Sequence, residues 1–461
     1  MDAEQFREFG KAAVDYIADY YETIRDRPVL SNVEPGYLGD LLPKDPPQSG
    51  ESWRDVLEDV DRIIMPGITH WHSPHFHAYY PTAQSFPSVV GELMSAGFGV
   101  VGLSWIASPA MTELEVVMMN WLGRMLGLPE QFLNCSEGPG GGVIQGSASE
   151  STYIGLLAAK DKKVRELMET NPSLTEAEIK GKLVAYSSDQ SNSSVEKAGL
   201  LGTTPTCAFD NLEELGPVCN KENIWLHIDA AYAGSAFICP EYRHLMKGAE
   251  MADSFNFNPH KWLMVNFDCS AMWVRDAQYL VEAFNVERIY LKDQHKGLAP
   301  EYRHWQIALG RRFRALKLWF VLRIYGVEGL QKHIRGQIAL AEYLSDLVKS
   351  DNRFELCTCS MGLVTFRLKG EDSLTEKLLE DISKKKELFL VAGHMNHKLV
   401  VRYAICSRLT EKRDVDFSWR QITETAEQII PTPKKSLTKS DKQIHPVLNI
   451  NCINPNLEKS K

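Results

Sequence analysis

With 461 residues, 44% of them hydrophobic and 24% charged, the chain has room for one large domain with appendages or for two or three domains, and its composition is ordinary for an enzyme. A formal charge of -9 leaves no basic footprint for nucleic acid or acidic membranes. The longest apolar runs carry too much Gly, Ser and Pro to span a bilayer, and the charged start MDAEQFREFG has no secretory h-region.

Nine cysteines, an odd number, show neither CxxC nor Cys/His pairs at zinc spacing, and Cys357 and Cys359 fall on an expected strand. Reduced thiols in a cytoplasmic protein are expected, without a disulfide framework or a metal site. Residues 2–27 read as an amphipathic helix, with Phe6, Phe9, Ala13, Ile17, Tyr20 and Ile24 on one stripe. VEPGYL and PKDPPQSGES are loop material, and a second helix runs from Trp53 to Ile64. THWHSPHFHAYYPTAQSFP then places histidines at 70, 72, 75 and 77, but no acidic second shell or helical HExxH frames them for a metal.

GPGGGVIQGSASESTYIGLLAAK joins a flexible Gly138–Gly142 loop and a short apolar run to a helix. Ser147 and Glu150 form an S-x-x-E capping box, so the remaining N–H groups of that helix start are open to an anion, of which phosphate is the natural example. After LVAYSSDQSNSSVEKAGLLGTT come two apolar runs, WLHIDAAYAG and SFNFNPHKWL, each closing on a polar group among small residues. Those groups, Asp229 and Lys261, lie about one βαβ unit apart, roughly 30 residues. At the C-terminal ends of parallel strands both would face the crevice where open α/β sheets hold ligands. A carboxylate and an amine so placed suit pyridoxal phosphate. The lysine condenses with the aldehyde, and the aspartate keeps the pyridine nitrogen protonated so that the ring acts as an electron sink. The plainer alternative is a buried ion pair or a snorkelling lysine.

Beyond Lys261, FNVERIYLKDQHKGLAPEYRHW carries a polar Lys, His and Gly stretch between Tyr290 and Tyr302 that reads as a mobile loop, with Tyr290 a possible loop anchor. Residues 317–432 alternate helices with the short strands FELCTC, GLVTFRL and LVVRYAICS. The last segment, 433–461, is rich in Lys, Pro, Ser and Asn without a period and reads as a disordered tail.

The segments HIDAAY and NPHKW, with GSASES and DQSNSSVEKAG upstream and IYLK and ALGRRF downstream, resemble those of the group II pyridoxal-phosphate decarboxylases. That family includes aromatic amino acid decarboxylase, histidine decarboxylase and the insect aromatic aldehyde synthases. The resemblance extends to about residue 430. It implies an α/β fold of type I: an N-terminal dimerisation segment to residue 85, a mainly parallel sheet in a large cofactor-binding domain over 86–316, a small C-terminal α/β domain over 317–432, and a homodimer.

For the cofactor the resemblance assigns Ser147, Ala148 and Ser149 to the phosphate, with Asn258 and His260 closing the cup. Asp229 goes to the ring nitrogen, Ala231 to one ring face, Asn192 to the other, Thr204 to the ring edge and Lys261 to the aldehyde. It gives Trp71, Tyr79 and Pro81 to contacts with the substrate ring and Thr82 to the cofactor region. Val101 and Leu103 go to the neighbouring subunit's wall, and Gly310, where histidine decarboxylases tend to have serine, leaves room for a substituted phenyl ring. Tyr290 becomes the proton donor to the carbanion carbon.

Two departures stand out. Leu200 runs almost directly into Gly202-Thr203-Thr204, where relatives interpose a strand, a helix and a second strand; a truncation of roughly 30 residues or more is expected there, leaving sheet edges to be satisfied. The true decarboxylases carry histidine where Asn192 stands, and QSN is what the insect aldehyde synthases carry. Histidine titrates near neutrality and can act as an acid; an amide cannot. The expected activity is therefore that of a 3,4-dihydroxyphenylacetaldehyde synthase, converting L-dopa with dioxygen to the aldehyde, carbon dioxide, ammonia and peroxide, and serving cuticle formation by analogy. A simple aromatic L-amino acid decarboxylase and an inactive truncated variant are the alternatives.

Overall fold

A computed structural model describes residues 1–186, 199–285 and 299–430. Its larger sheet is built from β1 (Gly141–Gln145), β2 (Gly199–Leu200), β3 (His227–Asp229), β4 (Ser254–Phe257) and β5 (Ser270–Val274), in the order β1-β5-β4-β3-β2. β2, β3 and β4 are parallel neighbours, while β5 runs antiparallel to both β4 and β1. One reversed strand in an otherwise parallel sheet is the expected mainly parallel α/β arrangement. β1, β3, β4 and β5 are buried along their whole length, as continuous apolar strands between two covering layers should be.

Glycines at 138–142 were expected as loop, but Gly141 and Gly142 already belong to β1. The reason is packing: a Cβ on Gly142 would stand 2.6 Å from the Trp273 ring nitrogen on the adjacent β5 and 2.6 Å from the Met119 methyl of the helix Pro109–Leu126. The connection from β3 to β4 also departs from a βαβ unit. It runs through three 3-10 segments, Ala233–Ile238, Pro240–Met246 and Ala249–Met251, the first wholly buried.

The helical stretch Arg314–Ser350, broken at Gly326 (φ +65°), leads from this core to a second sheet. That sheet is antiparallel, β6 (Phe354–Ser360), β7 (Leu363–Leu368), β8 (Val391–Met395) and β9 (Lys398–Ala404) in the order β6-β7-β9-β8. β8 has no counterpart in the sequence reading. It is held by a two-residue hairpin turn, Asn396 and His397, with φ of 49° and 63°; positive φ at both positions matches the twist of the strands. The second core joins Phe354, Phe366, Val401 and Tyr403 to the helices Asp372–Lys385 and Lys412–Ile429.

The first helix is shorter than expected, Ala3–Glu22, and is capped by Asp2 with Gln5. Its expected apolar stripe divides. Phe9 stacks on Trp53 at 5.1 Å and Ile24 is buried, but Phe6 (62%) and Ile17 (36%) are exposed, along with Val14. The second helix is regular only over Trp53–Asp59 and continues as a π turn, Val60–Ile64. The four histidines spread out as structural ties: His70 Nδ1 lies 2.8 Å from the Tyr20 hydroxyl, and His75 Nε2 lies 3.4 Å from Asp414. His77 Nδ1 lies 3.0 Å from the Ala404 carbonyl, beneath a stacked Tyr403 ring. Among the described residues no helix is long and apolar enough to cross a membrane, and all eight cysteines are free.

Two contacts yield tests. A Cβ on Gly91, in the helix Phe86–Phe98, would stand 2.6 Å from the Lys317 Cα across the helix pair. Gly91→Ala should therefore force the helices apart and lower stability by about 1–3 kcal/mol, read as a lower thermal midpoint. Asp414 is nearly buried; burial raises its pKa, but hydrogen bonds from His75, Arg25 and the Glu411 amide outweigh this and hold it at about 2. A folded pKa below the unfolded one gives stability that is present above the unfolded value, about 3.9, and lost as pH falls toward 2. Asp414→Asn should flatten acid unfolding in that window and weaken the tie to Arg25.

Candidate active site

Asp229 closes β3, and parallel pairing sets it opposite Asn256 on β4 and Leu200 on β2. Its Oδ1 accepts from the Ala231 amide at 2.9 Å and from Asn256 Nδ2 at 3.3 Å. Backbone bonds then sew the neighbouring segments to this point: the Asn258 amide donates to Ala231 O (3.0 Å), and the Leu201 amide donates to Asp229 O (3.1 Å). Asp229, Ala231, Asn258 and the Gly202-Thr203-Thr204 turn thus converge at the carboxyl end of the parallel strands, as a ligand crevice requires. Gly202, at φ +89°, allows the turn to pass Ala233, whose methyl would lie 2.4 Å from a Cβ there.

Lys261 follows in the short turn Pro259–Trp262. Burial lowers its pKa, and the Asp229 carboxylate opposes that shift. An amine so placed is uncharged more readily than a solvated one and so better able to attack an aldehyde. Its Nζ lies 5.7 Å from the centre of the Tyr80 ring. Tyr80 stacks on Tyr232 (3.8 Å), which stacks on Trp262 (4.6 Å), and the Tyr80 hydroxyl donates to Thr203 O at 3.2 Å. His260 accepts the Cys269 amide on Nδ1 at 2.8 Å, so its ring proton sits on Nε2; burial holds its pKa at about 3 and the ring neutral.

Ser147 caps the helix Ala148–Thr170, accepting from the Glu150 amide at 3.1 Å. The expected capping box is altered in one respect: the Glu150 carboxylate reaches past Ser147 to the Gly146 amide, at 2.9 Å. Ser147, Ala148 and Ser149 still form the positive N-terminal end of a long helix, the arrangement that holds a phosphate. Among the described residues the buried Asn258 Oδ1 has no hydrogen-bond partner. An orphaned acceptor, a desolvated amine, a carboxylate at the strand end and a helix N-terminus together fit pyridoxal phosphate.

The residues expected around the substrate form two groups. Trp71 stacks on Tyr79 at 5.5 Å and on Phe76 at 4.8 Å, with both Trp71 and Tyr79 partly open to solvent. Buried Pro81 and half-buried Thr82 lead to Ala83, whose amide donates to His260 O at 3.1 Å, so this group joins the Lys261 segment. In the second group, a Cβ on Gly310 would stand 3.3 Å from Val101, and Leu103 O accepts from Arg303 at 3.2 Å. Behind it the buried Arg311–Glu115 pair (2.6 Å) bolts Gly310 to β1, through Arg311 to Ile144 O and through the Ile144 amide to Glu115. Asn192 and Tyr290 lie outside the described residues, as does the tail 433–461.

Sequence reasoning missed Tyr80, Arg402 and His227. Arg402 donates to Pro205 O (3.2 Å) and Tyr79 O (3.4 Å), with its guanidinium 5.1 Å from the Tyr80 ring centre. A lone charge inside the apolar run LVVRYAIC was the available signal for it, while Tyr80 was hidden behind its neighbour Tyr79.

The chain matches the pyridoxal-dependent decarboxylase conserved domain over residues 35–202 and 199–369. It is 54% identical to the aromatic-L-amino-acid decarboxylase of Drosophila simulans, over 471 positions covering 93% of this chain and 92% of that one. It is 48% identical to the 3,4-dihydroxyphenylacetaldehyde synthase of Drosophila melanogaster, over 511 positions and the full length of both. Among solved structures, Oryza sativa TDC with PLP and tryptamine superposes with a TM-score of 0.89 at 33% identity, over 93% of this chain and 99% of that one. With these likenesses spanning most of its length, the chain belongs to the pyridoxal-dependent decarboxylase family and is an enzyme of that kind.

Proposed function

We propose that this enzyme acts on aromatic L-amino acids as an aldehyde synthase, converting L-dopa, dioxygen and water to 3,4-dihydroxyphenylacetaldehyde, carbon dioxide, ammonia and hydrogen peroxide. The observation that carries the choice is the amide of Asn192 where the decarboxylases carry an imidazole. An amide cannot give up a proton near neutrality, so protonation at the carbanion carbon loses its helper and dioxygen can compete. An aldehyde synthase at 48% identity among the relatives supports this reading, beside a decarboxylase at 54%.

Pyridoxal phosphate, when bound, supplies the electron sink for the carbanion left as carbon dioxide departs. Lys261 holds its aldehyde, the Ser147–Ser149 turn its phosphate, and Asp229 the proton on its ring nitrogen. Tyr80, Trp71 and Tyr79 provide aromatic walls that exclude water, and Tyr290 is assigned the proton that makes an amine. Gly310 leaves space for the catechol ring.

A second copy completes the site in this proposal. Phe86, Val90, Leu93 and Phe98 expose one face of their helix, and Val101, assigned to a neighbour's wall, lies just beyond it, also exposed. A continuous apolar surface of this kind marks an association face.

A second reading, an inactive chain, draws on one observation. The family match divides at residues 199–202, and alignments to relatives run over more positions than this chain has residues. β2, beside that point, keeps only two residues and is the last strand of its sheet among the described residues.

Purified protein with L-dopa, pyridoxal phosphate and air should yield aldehyde and peroxide in excess over dopamine. Asn192→His should lower that ratio by roughly tenfold or more, within the range general acid catalysis supplies, and Lys261→Ala should abolish both products. Dopamine without peroxide would establish the simple decarboxylase, and no product from a folded protein would favour the inactive form. Leu93→Lys should convert a dimer to monomer in sedimentation velocity, with loss of turnover.

A further inference from the structure

The helix start at Ser147–Ser149 and the end of β3 would grip opposite ends of one rigid cofactor, so the spacing between helix and strand matters. His227 sits where the two meet. It lies two residues before Asp229 on β3, hence on the same face of the strand, and is buried. Its Nε2 is 3.2 Å from Thr152 Oγ1, about one turn beyond Ala148 in the helix, and its Nδ1 is 2.7 Å from Ser254 Oγ on β4. The helix backbone passes close by: a Cβ built on Gly155 would lie in van der Waals contact with His227 Nδ1, at 3.4 Å.

The hydrogen bonding is compatible with a neutral ring. Trp225 Nε1 donates to Ser254 Oγ at 2.8 Å, and one arrangement satisfies every group, with the serine proton on His227 Nδ1 and the ring proton on Nε2, toward Thr152. Burial lowers the pKa of His227, with Asp229 opposing. The cross-strand register repeats the pattern: His227 faces Ser254, and one step on Asp229 faces Asn256, which donates to its Oδ1. Two consecutive polar pairs on one face thus tie β3 to β4, and the first of them also ties both strands to the phosphate-end helix.

We propose that His227 is a positioning residue for the cofactor: by bridging Thr152 to Ser254 it holds the Ser147–Ser149 turn and the Asp229 carboxylate at the spacing that pyridoxal phosphate spans. The proposal rests on the pyridoxal-phosphate reading of the site. His227 would act through its contacts with Thr152 and Ser254, on the elements that carry the phosphate turn and the carboxylate. Thr152 and Ser254 share the role, each removing one arm of the bridge when changed.

The test is a titration of purified apoenzyme with pyridoxal phosphate, followed by fluorescence quenching and by the visible absorbance of the lysine-bound cofactor, for the wild type, His227→Leu, His227→Gln and Thr152→Val. His227→Leu should raise the Kd about tenfold or more, equivalent to about 1.4 kcal/mol, and alter the ratio of absorbance bands. Its apo thermal midpoint should stay within about 0.5 °C of wild type, because a defect as large as that loss of affinity would move the midpoint of a chain this size by only about 1.5 °C. Thr152→Val should move Kd and spectrum in the same direction by less, and His227→Gln, which keeps a side-chain N–H, should recover part of the loss. Wild-type Kd and spectrum in both His227→Leu and Thr152→Val would overturn the proposal. So would a fall in apo stability large enough to account for the lost affinity in both. If His227→Leu does not fold, Thr152→Val decides alone. A wild-type protein that binds no pyridoxal phosphate would overturn the cofactor reading and this proposal with it, whereas binding by wild type with unaffected variants overturns this proposal alone.

Discussion

The parallel register of β3 on β4 is the constraint on which the rest of the site depends. Asp229 pairs with Asn256, so the two strands end level, and the chain leaving each enters the same crevice. The Asn258 amide then reaches Ala231 O, and the turn bearing Lys261 comes round beside the carboxylate. A slip of one residue would turn Asp229 toward the opposite face and leave the lysine without its partner, because side chains alternate along a strand. Burial on both faces makes such a slip costly, as every residue from His227 to Asp229 and from Ser254 to Phe257 is packed.

Electrostatically the crevice is sparse. The imidazoles nearest to it, His227 and His260, are both pushed toward the neutral form by burial, and the tyrosines 80 and 232 are pushed well away from ionisation for the same reason. The Asp229 carboxylate opposes the effect of burial on Lys261, and Arg402 places a further cation beside the Tyr80 ring. In a low-dielectric pocket few charges mean strong ones. Burial there favours the uncharged form of the Lys261 amine.

Around that centre, long-range ties set how the pieces sit. Arg25 reaches Asp414, Arg402 reaches Pro205 and Tyr79, and His77 lies under Tyr403, so the N-terminal segment and the second sheet are both fastened to the crevice wall. The same N-terminal region leaves Phe6 and Val14 exposed, and the helix Phe86–Phe98 exposes Phe86, Val90, Leu93 and Phe98.

Much of this was legible in one dimension. Asp229 and Lys261 announced themselves as polar residues closing apolar strands, and Ser147 as a helix cap, because strand burial and capping are decided within a few residues of chain. The resemblance of whole segments added the family. Other features could not be read that way. Gly142 looked like loop until the Trp273 ring of another strand required its missing side chain, and half of the first helix's apolar stripe remained exposed because none of the described residues covers it. β8, VAGHM, is too short and too weakly apolar to mark itself, since none of its five residues is fully buried. His227, Tyr80 and Arg402 owe their places to partners far away in sequence: Thr152 and Ser254, Thr203, and Pro205 with Tyr79. The sequence by itself determined the local chemistry, the strand ends, the cap and the reactive pair, because these follow from short-range backbone and burial preferences. Tertiary structure alone decided which distant side chains hold that chemistry in register, because such contacts exist only once the strands have paired and the helices have packed on them.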